Sequence, residues 1–169
     1  MILKKIDFHL ILKPQKVVMT KTIAFLFTAC FTLLLTSCVD AECVDEMAAY
    51  MKVSFYSYED KKTSSPESIT LYGVGSDNKI YDNQKITLPA LIPLKNYDNE
   101  TEFIIEINGT TDTIRFVHSN SLSLISRECG YSMFHTIDTV YFTVNEIDSI
   151  AVINKDITLK NIENVAIYY

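Results

Sequence analysis

The sequence predicts an all-β fold, an antiparallel β-sandwich of about nine short strands preceded by a helical N-terminal segment. Three observations predict it. Apolar and polar residues alternate along many short stretches, the period of a strand with one buried face. Turn residues recur between those stretches; Asn108-Gly109 is the clearest signal, because a type I′ turn needs positive φ at both central positions. No stretch after Cys38 sustains the 3.6-residue period of an amphipathic helix.

The elements follow in order. Met51, Val53 and Phe55 share one face of a first strand, with Lys52, Ser54 and Tyr56 on the other. Lys61–Ser68 reads as a polar loop. Ile69, Leu71 and Gly73 then alternate with Thr70 and Tyr72. Gly75–Asn78 and Asp82–Gln84 read as turns, followed by a strand bearing Ile86 and Leu88, and Pro93–Thr101 as a second polar loop. Phe103, Ile105 and Ile107 alternate with Glu102, Ile104 and Glu106 up to the Asn-Gly turn. The return strand turns Ile114 and Phe116 inward and Thr113 and Arg115 outward. Further strands are expected at Ser121–Glu128, Tyr131–Phe142, Ile147–Asn154 and Asn164–Tyr169. Tyr131–Phe142 carries apolar residues at both parities, so its faces stay unassigned. No internal repeat, low-complexity tract or second domain is evident.

Charge divides the chain. Residues 1–37 hold five Lys and one acid, Asp7, whereas the remaining 132 residues hold ten basic and twenty acidic side chains. A domain that acidic lacks the basic footprint of a nucleic-acid binder. Ile23–Leu35 is a run of thirteen uncharged residues behind Lys21. It is too short to span a bilayer, which takes about 20 apolar residues, but has the length of a signal-peptide core. Leu35-Thr36-Ser37-Cys38 comes next, and it resembles the lipobox of bacterial lipoproteins. That resemblance implies cleavage before Cys38, a thioether from its sulfur to diacylglycerol, and acylation of the new amino group. Met19–Ser37 is then the signal peptide, and residues 1–18 read as an upstream extension from a misplaced start. Residues 38–47 form an acidic tether, and residues 48–169 the β-sandwich domain. The tether is similar to acidic signals that send lipoproteins of Bacteroides-type bacteria to the cell surface; a plain solvated linker explains it equally well.

Cys43 and Cys129 remain after processing. An even pair in an oxidising compartment suggests a disulfide closing a loop of about 86 residues, with two free thiols as the alternative. No CxxC occurs, which argues against thioredoxin-like redox work and zinc binding. Glu128–Met133, Ile147–Ile153 and Glu163–Tyr169 together resemble the C-terminal half of an uncharacterised family of small lipoproteins from Bacteroides-type bacteria. Cys43 followed by Met51–Tyr56 resembles that family's first strand. The resemblance implies a compartment and an all-β fold; it supplies no activity.

Chemistry is sparse. His118 continues the core-facing row of Ile114 and Phe116, and His135 lies mid-strand; both read as structural histidines. No His, Cys, Asp or Glu spacing points to a metal, and no cofactor is expected. No nucleophile elbow or phosphate-binding glycine loop occurs, and Glu102 and Glu106 read as solvated charge on an outer face, so no enzyme is expected. Tyr50, Tyr56 and Tyr58 share one parity and form a candidate contact stripe for a protein or glycan, or else pack beneath a loop. The absence of Trp counts against a sugar-stacking platform. Asp112-Thr113-Ile114, Asp138-Thr139-Val140 and Asp148-Ser149-Ile150 resemble the O-glycosylation sequon of exported Bacteroides-type proteins. That makes Thr113, Thr139 and Ser149 candidate acceptors, Thr113 first. Two N-glycan sequons, at Asn99 and Asn108, are idle in a bacterial context. The expectation is a cell-envelope lipoprotein, anchored by lipid to the outer membrane on its periplasmic or outer face. It would act as a non-catalytic interaction or assembly module with an envelope protein partner. The alternative is a glycan- or ligand-binding accessory lipoprotein.

Overall fold

The computed structural model describes Cys43 and residues 47–169. The expected signal peptide and lipobox, with Cys38, and most of the expected acidic tether lie outside the described residues. Ten strands follow one another: β1 (Met51–Tyr56), β2 (Ile69–Gly73), β3 (Lys79–Gln84), β4 (Ala90–Ile92), β5 (Glu100–Ile107), β6 (Thr110–Ser126), β7 (Gly130–Phe142), β8 (Ser149–Val152), β9 (Asp156–Ile157) and β10 (Val165–Tyr168). They build two sheets, one in the order β4-β1-β10-β8, the other β3-β2-β5-β6-β7-β9. The described chain is all-β, as its alternation requires.

The alternating residues do what their parity demands. Met51, Val53 and Phe55 of β1 and Val165 and Ile167 of β10 meet Ile69, Leu71, Ile105, Ile107, Ile114 and Phe116 of the larger sheet in one buried core. Each such side chain removed from water contributes about 1.5–3 kcal/mol. Asn108 and Gly109 take φ of 50° and 91°, the left-handed pair that closes a two-residue hairpin between β5 and β6. Asn164 clasps the start of β10 to β1: its Oδ1 accepts the Lys52 N–H at 3.0 Å, and its amide donates to the carbonyls of Asn154 and Asp156.

Several expectations need correction. The sandwich is not wholly antiparallel, because β1 and β10 run parallel, Val53 beside Val165 through Tyr56 beside Tyr168. Asp82–Gln84 is the end of edge strand β3 and not a turn; Asn83 sits at φ 43°, where the pairing to β2 shifts register. Ile86 and Leu88 lie outside any strand, and a cis Leu88–Pro89 bond leads into β4. The strand expected over 121–128 is the far end of β6, which runs unbroken for 17 residues.

The unassigned faces of Tyr131–Phe142 also resolve. Val117 pairs with Thr139 but His118 pairs with Ile137, which leaves Asp138 as an extra residue in β7. This bulge switches parity, so His135 and Ile137 before it and Val140 and Phe142 after it all turn to the core side. Asp138 and Thr139 are consecutive and both exposed.

Candidate functional site

Cys43 and Cys129 form a disulfide, with Cα atoms 4.9 Å apart across 86 residues. Cys129 lies in the turn that joins β6 to β7, and its N–H is fixed by Ser126 Oγ at 3.0 Å. Nearby, Ser132 Oγ donates to the Met47 carbonyl. The beginning of the domain is thus fastened to the tip of the β6–β7 hairpin.

Farther along that hairpin, His118 and His135 meet edge to face, ring centroids 5.3 Å apart. Asn120 organises them. Its amide nitrogen donates to the carbonyls of Asn96 and Asp98, which turns Oδ1 toward both imidazoles. That oxygen lies 2.9 Å from His118 Nδ1 and 2.7 Å from His135 Nδ1. An amide oxygen only accepts, so both histidines carry their proton on Nδ1. His118 Nε2 then accepts the Thr101 hydroxyl at 2.9 Å, and Thr101 Oγ1 accepts the Lys95 N–H. Both histidines are thus buried and hydrogen-bonded, joined by an Asn that no sequence pattern singles out.

Burial lowers the pKa of His118, against the Asn120 bond, Asp138 and Asp98, which raise it. Burial and then the neighbouring His118 push His135 down to about 4. The sign is unambiguous: with the folded pKa depressed, the unfolded chain binds protons that the folded chain refuses. Stability is full above about 6.5 and falls as pH drops from 6.5 toward 4. Urea unfolding at pH 7 and pH 4.5 should differ by about 2 kcal/mol, and His135→Gln should flatten that difference. Level stability across this window would refute the neutral pair.

A second buried polar centre anchors the loop after β7. The Asp112 carboxylate accepts the N–H groups of Asn145, Glu146 and Ile147 at 2.8–3.0 Å, and the Thr143 hydroxyl. Burial would raise its pKa, but the Thr143 bond and the three backbone bonds outweigh it and hold the carboxyl below its ordinary value.

The tyrosines do not form one row. Tyr56 and Tyr58 come together at the end of β1, while Tyr50 lies at its start beside Pro93, Leu94 and Tyr131. Tyr56 stacks on Tyr168 at 5.4 Å and its hydroxyl donates to Glu163; burial first, then Glu163, raises its pKa. Tyr58 has left the strand for a turn, so strand parity no longer governs it. Lys61 Nζ lies 3.7 Å from the Tyr58 ring centroid and 4.8 Å from that of Tyr168. The result is a compact aromatic patch with a central ammonium. Lys61 reaches Tyr58 through the turn that follows β1, whereas Tyr168 and Glu163 join the patch only because β10 pairs with β1, which no local pattern reveals.

The sequon residues also rank differently. Thr113 is on the outer face but half-buried, its N–H bonded to Thr143 Oγ1 and its side chain beside Arg115 and Tyr141. Ser149 is half-buried on edge strand β8. Thr139, on the bulge, is the exposed acceptor. Among the described residues no three His, Cys, Asp or Glu side chains gather where they could hold a metal ion.

Residues 68–169 match the profile of DUF6452, a family of unknown function. The chain belongs to the DUF6452 family. The DUF6452 match starts just before β2, so it takes in the histidine pair, Asp112, Cys129 and Tyr168 and leaves out β1 and Cys43. No curated protein and no solved structure matches the chain.

Proposed function

We propose that this DUF6452 protein is a cell-envelope lipoprotein, held to the outer membrane through Cys38 and acting as a non-catalytic interaction or assembly module. One observation carries the reading: the Cys43–Cys129 disulfide, a crosslink suited to an oxidising compartment, begins five residues after the lipobox cysteine. The Tyr56–Tyr168–Tyr58 patch around Lys61 is the surface that an envelope protein partner would contact, since rigid aromatic side chains with a polar tip suit interface cores. The second reading, a glycan- or ligand-binding accessory, draws on an open polar cleft of about 500 Å³ over β2 and β3, where Tyr72 lies among Asp77, Asp82 and Glu106. Retention of the full-length protein on an immobilised envelope glycan, lost in Tyr72→Ala, would favour that second reading.

The anchor is tested in the native host. Cys38→Ala should abolish incorporation of a clickable fatty acid and leave uncleaved precursor; equal labelling of wild type and variant ends the idea. Intact mass of the wild-type protein reads modification at the same time. Mass beyond the acylated polypeptide, lost in Thr139→Ala, would place an O-glycan on the bulge, and a mass equal to that polypeptide would leave the sequons as strand alternation alone.

A further inference from the structure

The β6–β7 hairpin outruns its sheet. The last residue of β6 opposite β5 is Val117, whereas pairing with β7 continues to Ser126 opposite Gly130. On the other side, β9 supports β7 only at His135 and Thr136. Residues 121–126 and 130–134 are therefore a two-stranded arm roughly 20 Å long. Its faces differ. Leu122 opposes Met133 and Leu124 opposes Tyr131, on the side that continues the core-facing row of Ile114, Phe116 and His118. The other side carries Ser121 opposite Phe134 and Ser123 opposite Ser132, and it is closed by the core contact of Phe134 and the bond from Ser132 to Met47. Past the end of the core, Met133 is half-buried near Pro93 and Leu94, and the described residues leave Leu122, Leu124 and Tyr131 64%, 57% and 61% exposed. A two-stranded ribbon with an uncovered apolar face calls for a surface to rest on.

We propose that this surface is the bilayer in which Cys38 is anchored, an inference that rests on the lipoprotein reading above. The chain length commits it to that occupant. Cys129 lies in the turn that closes the arm and is bonded to Cys43, and Cys43 follows Cys38 by five residues. Five residues span at most about 17 Å, so a lipid on Cys38 confines the arm's tip to within that distance of the headgroups. Apolar faces of interfacial segments enter roughly 5–10 Å at the headgroup boundary, a depth that Leu122 and Leu124 can fill. Tyr131 opposite Leu124 supplies an aromatic ring with a polar tip, the side chain enriched at that level. Arg127 and Glu128 in the closing turn and the acidic tether keep the contact interfacial and oppose deeper insertion. The lipid and the arm then make two points of attachment, which orient the domain and do not merely tether it.

The chain has no Trp, so one introduced indole reports alone. Full-length Leu124→Trp, purified from host membranes, would be reconstituted into phosphatidylethanolamine–phosphatidylglycerol vesicles with and without lipids brominated near the headgroup. The expected result is blue-shifted emission that loses most of its intensity in the brominated vesicles. Val144→Trp, on the exposed loop beyond the opposite end of β7, should emit as in water in both. Retention of the fold is checked by the intact Cys43–Cys129 crosslink in each variant. Fatty-acid labelling and flotation read the anchor separately. Protein that floats with the vesicles while residue 124 emits as in water overturns the arm's contact and leaves the anchor standing. A blue shift without quenching shows a protein cover, a second copy or a partner, and also overturns it. Absence of lipid on Cys38 overturns both.

Discussion

Replacing Asp112 with Asn lowers the unfolding free energy by about 3 kcal/mol in urea titrations at pH 7. The substitution keeps the shape and exchanges one acceptor oxygen for an NH₂ group, which must face a backbone N–H already pointed at it. Three buried donors and the Thr143 hydroxyl then compete for one oxygen. No cation neighbours the carboxylate in its hydrogen-bond set, so the loop after β7 depends on that one charge to gather its amides. Asp112→Ala should cost at least as much, because it leaves every donor unpaired. Amide exchange at Asn145, Glu146 and Ile147 should accelerate before global unfolding does. A loss below about 1 kcal/mol would show that the loop finds its own partners. Because the folded pKa is depressed, this contribution is present above the ordinary carboxylate value and fades as pH falls from there through the lowered one, beneath the histidine window.

Removing the disulfide by Cys129→Ser lowers stability by as much as about 4 kcal/mol. The 86-residue separation makes the unfolded chain lose a large loop-closure entropy when bonded, about 4–5 kcal/mol at the upper limit. Non-reducing peptide mapping of envelope-derived protein should recover Cys43 and Cys129 as one linked pair. Two freely alkylated thiols, or equal stability with and without reductant, would contradict the role given to the bond. The variant should also loosen Met47 from Ser132, since their hydrogen bond lies beside the crosslink.

Much of the fold was legible because alternation is a local signal. The core rows of β1, β5 and the first part of β6 follow from parity alone, the Asn108-Gly109 turn follows from its φ requirement, and His118 falls in the core row by counting. What stayed hidden was non-local or irregular. Nothing in Val165–Tyr168 says that it lies beside β1, so Tyr168 could not be joined to Tyr56. One extra residue at Asp138 inverted the parity of half of β7 and moved Thr139, not Thr113, to the open surface. Asp112 reads on paper as part of a sequon; its carboxylate is committed to a loop more than thirty residues away. The apolar arm was readable as Ser-Leu alternation, but only the pairing shows that β5 stops short of it.

The parallel pairing of the first and last strands also sets a timetable. β1 leaves the ribosome early, yet its neighbour across Val53 is Val165, some 112 positions later. At synthesis rates of about 5–20 residues per second, Met51, Val53 and Phe55 wait roughly 6–20 s for that neighbour. β4 can pair with β1 meanwhile, but the smaller sheet lacks its centre until the final four-residue strand arrives. Closure is thus a late, long-range event, the kind that slows folding without weakening the finished product. A nascent chain therefore holds the apolar row of β1 without its parallel neighbour until β10 has been made.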